Sequence, residues 1–149
     1  MKKVLMVCLG NICRSPLAQG ILESKVDPDK VYIDSAGTAA YHVGNLPDER
    51  SIKVASKYGL DLRHQRARKF SVNDFDTFDY IYAMDSSNYQ NILLLARNKK
   101  DEEKVQMILN EVYPNANKNV PDPYYGGTDG FEKVYKMLDD VCEIIARKL

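Results

Sequence analysis

Eight consecutive residues concentrate the chemistry of this chain: Cys8-Leu9-Gly10-Asn11-Ile12-Cys13-Arg14-Ser15, with Pro16 directly behind them. A thiol opens the stretch and a guanidinium nearly closes it, with five residues between the two. A segment of that length can curl round one tetrahedral anion. Backbone N–H groups ring the oxygens, the start of a following helix adds partial positive charge, and Arg14 supplies a bidentate fork. The same field favours a thiolate on Cys8, aimed at a bound phosphorus. Leu9, Gly10, Asn11, Ile12, Cys13 and Ser15 complete the phosphate cradle. Gly10 lets backbone and anion approach closely. Asn11 tolerates the left-handed conformation that a curling loop needs. Ser15 can cap the helix or donate its hydroxyl to the Cys8 sulfur, and the sequence leaves both uses open. Cys13 is expected to point away from the anion. As a second thiol it could also close a disulfide on Cys8 after peroxide, a reading that sulfonic acid alone on Cys8 in a mass spectrum would end. Cys142 sits on the apolar stripe of the last predicted helix and reads as core.

Such a loop needs a strand before it and a helix after it. The apolar run over residues 3–7 predicts a buried parallel strand, and a helix from Ser15 or Pro16 to about Lys25 follows. Further strands are expected at Val31–Ser35, Tyr80–Met84 and Val105–Leu109. Helices are expected from about Pro47 to Tyr58, with Ile52, Ala55 and Tyr58 inward and Gly59 as the stop, and from about Ser86 to Ala96. Ser71–Phe75 reads as a capped helical turn and Lys99–Glu103 as a charged turn. Residues 110–128 form a long loop of the kind that is usually functional. A last amphipathic helix covers about Asp129 to Lys148. Strands alternate with helices throughout. The class is therefore α/β: three layers, a four-stranded parallel sheet with helices on both faces, flavodoxin-like or Rossmann-like, in one domain over residues 1–149. Ligands of such sheets bind at the carboxyl ends of the strands, where the first loop ends.

The bulk numbers agree with a single globular domain. The chain has 149 residues, 44% apolar and 28% charged, with 21 basic and 21 acidic side chains. That size suits one real core, and the balanced charge calls for neither nucleic acid nor an anionic membrane as partner. The apolar run after Met1-Lys2-Lys3 is too short for a signal peptide. Three cysteines in such a chain favour reduced thiols in a cytoplasmic setting.

Residues 7–16, Val-Cys-Leu-Gly-Asn-Ile-Cys-Arg-Ser-Pro, resemble the signature of the low-molecular-weight protein tyrosine phosphatases, and Asp122-Pro123-Tyr124-Tyr125-Gly126 resembles that family's second motif. The resemblance runs over essentially the whole chain, through Asp34-Ser35 and Thr77-Phe78-Asp79-Tyr80-Ile81. It implies a sheet of four parallel strands flanked by helices and hydrolysis of phosphotyrosine or other aryl phosphate monoesters. In the implied mechanism the Cys8 thiolate attacks phosphorus while Asp122 protonates the leaving oxygen. Water then attacks the phosphocysteine with Asp122 as base, and Arg14 and the loop amides hold the shifting charge, so no metal or cofactor is expected. Tyr124 and Tyr125 would wall the pocket, with no ground for choosing which faces it, and Tyr41 matches a rim position. Asn11, Ser15 and Ser35 match a polar set that holds the loop. The family often carries a His-x-Ala-Arg stretch behind it. Here Gln65-Arg66-Ala67-Arg68 stands there, so either Gln65 takes the histidine position or His64 serves. Asp85 resembles the acidic partner of that network, or simply caps the helix that follows. The basic run at 63–69 reads as a solvated surface that also ties a loop down, or as a field that steers phosphorylated substrates.

Three rivals share these motifs. An arsenate reductase on the same scaffold would need further cysteines between Cys13 and Cys142, and there are none. Protein-arginine phosphatases of similar sequence carry Thr where this chain has Ile12, and the larger apolar side chain favours a phenolic substrate. A binding module without catalysis would not need Cys8, Arg14 and Asp122 together. The expectation is a monomeric, cytoplasmic, cysteine-dependent protein tyrosine phosphatase. Its partners would be phosphotyrosine proteins or small aryl phosphates, with neither nucleic acid nor membrane involved.

Overall fold

The computed structural model describes residues 1–123 and 127–149. The strands are β1 (Lys2–Cys8), β2 (Val31–Gly37), β3 (Tyr80–Ala83) and β4 (Val105–Met107). All pairings are parallel and the spatial order is β2-β1-β3-β4. The helices are α1 (Arg14–Glu23), α2 (Glu49–Lys57), α3 (Asn73–Thr77), α4 (Ser86–Leu93), α5 (Lys99–Glu103) and α6 (Gly127–Lys148).

β1 is central, and its alternation sorts the two halves of the core. Val4, Met6 and Cys8 pack with Leu17, Ile21 and Leu22 of α1 and with Phe131, Leu138 and Val141 of α6. Leu5 and Val7 face the other way, against Phe75 of α3, Ile92 of α4 and Phe70. A strand buried on both faces reads as an unbroken apolar run, which is why residues 4–7 show no polar alternation. From β1 the chain moves to β2 on one side, then crosses to β3 on the other. The carboxyl end of β1 is thus the switch point of the sheet, and the 8–15 loop leaves from it.

The register ends with Cys8 opposite Gly37. A Cβ at Gly37 would lie 2.7 Å from the carbonyl oxygen of Leu9, so only glycine lets the loop press against the end of β2.

Four expectations shift. Strand β4 is shorter than Val105–Leu109, because Ile108–Glu111 turns into a 3₁₀ helix that carries Ile108 and Leu109 into the α1/α6 side of the core. Lys99–Glu103 is a helix, not a turn, capped by Asn98, whose side-chain oxygen accepts from the Asp101 N–H at 2.9 Å. Ser71 does not cap α3: its N–H donates to the Asp74 carboxylate at 2.9 Å. Tyr58 lies beyond the buried stripe of α2, which is Ser51, Val54 and Ala55. It is exposed and stacks on Tyr135 with ring centroids 4.2 Å apart.

Candidate active site

The loop from Cys8 to Ser15 is held from outside by its carbonyls. Thr38 N–H donates to the Cys8 carbonyl, Ala39 N–H to that of Leu9 and Asp48 N–H to that of Ile12, at 2.8–2.9 Å. The Ser51 hydroxyl and the Leu17 N–H both reach the Cys13 carbonyl. Among the described residues, none of the N–H groups of residues 9–13 donates a hydrogen bond. The loop therefore turns its acceptors outward and keeps its donors for a ligand, as an anion-binding nest does. Asn11 makes the curl possible with φ at 57°, the left-handed conformation expected of it.

A cavity of about 170 Å³ opens at this loop. Cys8, Cys13 and Arg14 line it with Leu9, Gly10 and Ile12, and Tyr41, His42 and Asp122 complete its wall. Arg14 is nearly fully buried and spends one nitrogen on the protein: Nη1 donates to Asp85 at 2.7 Å and to the Val120 carbonyl at 2.9 Å. Its Nη2 stands 3.8 Å from an Asp122 carboxylate oxygen. The fork is thus anchored on one tine while the other borders the cavity.

Behind the sulfur lies a polar chain that fixes proton positions. Asn11 Nδ2 donates to Ser15 Oγ at 2.8 Å and to Ser35 Oγ at 2.9 Å. Asn11 Oδ1 accepts from the Arg68 N–H at 3.0 Å, which settles the orientation of the amide. Ser15 Oγ lies 3.0 Å from Cys8 Sγ. With Cys8 as a thiolate the sulfur can only accept, and the Ser15 hydrogen is directed to it. Ser15 is therefore the donor to Cys8 and not a cap: the helix starts after Cys13 with no side-chain cap bond.

Several expected positions are corrected. Cys13 lines the same cavity as Cys8, and its thiol is buried. Burial pushes that thiol up to about 12, with Asp48, Cys8 and Asp122 adding repulsion, so it is a neutral S–H at ordinary pH. Of Gln65 and His64, Gln65 is the buried one. Its amide N–H reaches the Pro16 carbonyl at 3.1 Å, bracing the start of α1 and not the Asn11–Ser35 pair. His64 is exposed, 3.8 Å from Glu23. Asp85 caps α4 by accepting from the Asn88 N–H at 2.8 Å and with its other oxygen holds Arg14, so it serves the arginine and not the network behind the loop. Tyr41 is at the rim as expected, 75% exposed. Arg68 ties its segment to Asp34 and Asp74. Tyr124 and Tyr125 lie outside the described residues.

Three contributors went unread in the sequence. Gln19 accepts from the Ser35 hydroxyl at 2.6 Å. The signal was available in part, since Ser15 and Gln19 are polar residues four apart on one side of α1. His42 lies against Gly10, where a Cβ would come within 3.0 Å of its ring. The Val120 carbonyl carries no residue-type signal at all.

Among the described residues there is no cluster of side chains arranged to hold a metal ion. Nor is any helix among them long and apolar enough to cross a membrane.

A sequence profile of the family described as low molecular weight phosphotyrosine protein phosphatase matches residues 3–149. A low molecular weight phosphotyrosine protein phosphatase of Schizosaccharomyces pombe is 46% identical, over 95% of this chain and 92% of its own length. The counterpart from Gallus gallus is 39% identical over 99% of this chain and 95% of its own. A crystal structure of a protein tyrosine phosphatase from Entamoeba histolytica superposes with a TM-score of 0.92 at 38% identity, covering 99% of this chain and 96% of that one.

Proposed function

The chain belongs to the low molecular weight phosphotyrosine protein phosphatase family, and from that membership we propose how its residues divide the work of hydrolysis. It is a protein tyrosine phosphatase, a cysteine-dependent hydrolase of phosphotyrosine. Cys8 is the nucleophile, attacking phosphorus in line as a thiolate that the Ser15 hydroxyl solvates. The N–H groups of residues 9–13 and the free tine of Arg14 hold the non-bridging oxygens while charge moves from sulfur to the leaving oxygen. Asp122, partly exposed at the mouth, gives that oxygen its proton. In the second step Asp122 takes a proton from water as the water attacks the phosphocysteine. Phosphate leaves and the thiolate returns, so atoms and charge balance over the cycle.

The observation that carries this division is the shared cavity of Cys8, Arg14 and Asp122, with Arg14 Nη2 3.8 Å from Asp122. Cationic tine and carboxylate stand close enough to face one bound phosphate from two sides. Leu9, Ile12 and Tyr41 give the mouth an apolar rim suited to an aromatic leaving group, including small aryl phosphates. Cys13, a protonated thiol in the same cavity, is the group that would close a disulfide on oxidised Cys8. Residues 1–149 act as one catalytic domain, a cytoplasmic monomer on phosphotyrosine proteins, its free cysteines suiting a reducing compartment.

A side-by-side turnover assay with phosphotyrosine, phosphoserine and phosphoarginine peptides, and with arsenate plus a thiol reductant, tests the reading. Phosphotyrosine is expected to turn over fastest by a wide margin. Faster phosphoarginine or arsenate turnover would overturn it.

A further inference from the structure

The polar chain behind the nucleophile does not stop at Ser35. Ser35 accepts from Asn11, so its hydrogen needs a second partner, and Gln19 Oε1 is that partner at 2.6 Å. Gln19 is itself 6% exposed, on α1, one turn beyond Ser15. Gln19 must present its amide oxygen here, because the Ser35 hydrogen is donated to it. Asn11 thus stands at the centre of two donor arms. One runs through Ser15 to the Cys8 sulfur. The other runs through Ser35 to Gln19.

We propose that Gln19 is a positioning residue for the phosphatase reaction: its carbonyl oxygen draws the Ser35 hydroxyl outward, and so holds Asn11 and Ser15 with their hydrogens directed at the nucleophile. The inference rests on Cys8 as the nucleophile. Gln19 touches neither substrate nor sulfur and acts only through the hydroxyl–amide–hydroxyl relay. The physical ground is bond polarisation in a buried chain. A hydroxyl that donates well becomes a better acceptor, so the Asn11 amide is gripped at Ser35 only while Ser35 is gripped at Gln19. Without that acceptor the Ser35 hydrogen is buried and unspent, and its cheapest relief is rotation, which loosens Asn11 at a backbone angle already in the left-handed region. Gln19→Leu leaves unchanged the charged groups near the nucleophile (Arg14 and Asp122) and those near the far end of the chain (Glu23, His64 and Asp34).

Gln19→Leu removes the acceptor, whereas Gln19→Glu keeps an oxygen for Ser35 while adding a carboxyl group one helical turn from Glu23. The experiment measures iodoacetate alkylation of Cys8 at fixed pH, turnover of a good-leaving-group aryl phosphate, and folded stability for each variant. Gln19→Leu is expected to slow alkylation and kcat about three- to tenfold with KM little changed, and Gln19→Glu to restore most of both. Wild-type alkylation and kcat in folded Gln19→Leu would overturn the proposal. So would equal losses in both variants, which would mark Gln19 as packing only. If Gln19→Leu fails to fold, Ser35→Ala provides the same break one link nearer and must give the alkylation loss. Failure of the underlying reading looks different: the wild-type protein itself would turn over substrate with Cys8 alkylated.

Discussion

Substituting Ser15 by alanine removes one oxygen that has two neighbours. Oγ sits 3.0 Å from Cys8 Sγ and 2.8 Å from Asn11 Nδ2, and the residue is fully buried. Two separate effects follow. The sulfur loses a hydrogen bond that is charge-assisted when it is a thiolate, worth about 1.5–3 kcal/mol. At about 1.4 kcal/mol per factor of ten, thiolate-dependent rates fall roughly ten- to hundredfold. Independently, one Asn11 hydrogen is left buried without an acceptor, which costs the fold about 1–3 kcal/mol. The assay pairs iodoacetate alkylation of Cys8 at slightly acid pH with turnover of a good-leaving-group aryl phosphate, where protonation by Asp122 matters little. Urea denaturation gives the stability loss separately. Both chemical rates should fall by a similar factor, because both depend on the same sulfur. An alkylation rate equal to wild type, with only stability reduced, would refute the proton assignment along Asn11, Ser15 and Cys8.

Asp122→Ala should slow aryl phosphates with poor leaving groups by about 10²–10⁴-fold and those with good leaving groups far less, in a rate series plotted against leaving-group acidity; equal slowing would remove Asp122 from the acid role. Asp85→Asn keeps an oxygen for the α4 cap but loses the charge facing Arg14. With buried Arg14 left short of its counter-charge, it should lower both stability and kcat/KM. Asp85→Ala loses the cap as well, a further cost of about 1 kcal/mol that urea denaturation would measure. Burial holds Cys13 at about 12 in the folded chain and raises Cys142 as well, whereas an unfolded thiol ionises near about pH 8.5. A raised folded value means stability is complete below that pH and is lost as pH rises above it. At pH 10 the Cys13 contribution amounts to about 2 kcal/mol of lost stability. Cys13→Ala should flatten the alkaline decline seen in urea titrations.

Much of this was legible because residue type and spacing act together in the 8–15 loop. A thiol, a glycine, a left-handed-tolerant Asn and an Arg at fixed offsets leave few foldings other than a ring of N–H groups. The parallel sheet was legible from buried runs such as Val4–Val7. Where an apolar run is long, however, it does not state where the strand ends: Val105–Leu109 is apolar at four of five positions, and its last two residues turn into a 3₁₀ helix. Side-chain direction inside a tight loop depends on dihedrals that no composition reveals. Asp85 and Gln65 were assigned one shared task because they are close in function on the motif. Three-dimensional placement splits them, one against the guanidinium and one against the Pro16 carbonyl. Gln19 needed only its four-residue spacing from Ser15 to be suspected. His42 needed the loop's path across Gly10, which lies beyond local pattern.

The covalent step is the claim on which every role above depends. Rapid acid quench of the wild-type enzyme during turnover, followed by peptide mass spectrometry, should find phosphate on the Cys8 sulfur. Cys8→Ser should bind inorganic phosphate yet show no turnover. Phosphate recovered on another residue, or normal turnover by Cys8→Ser, would contradict the account.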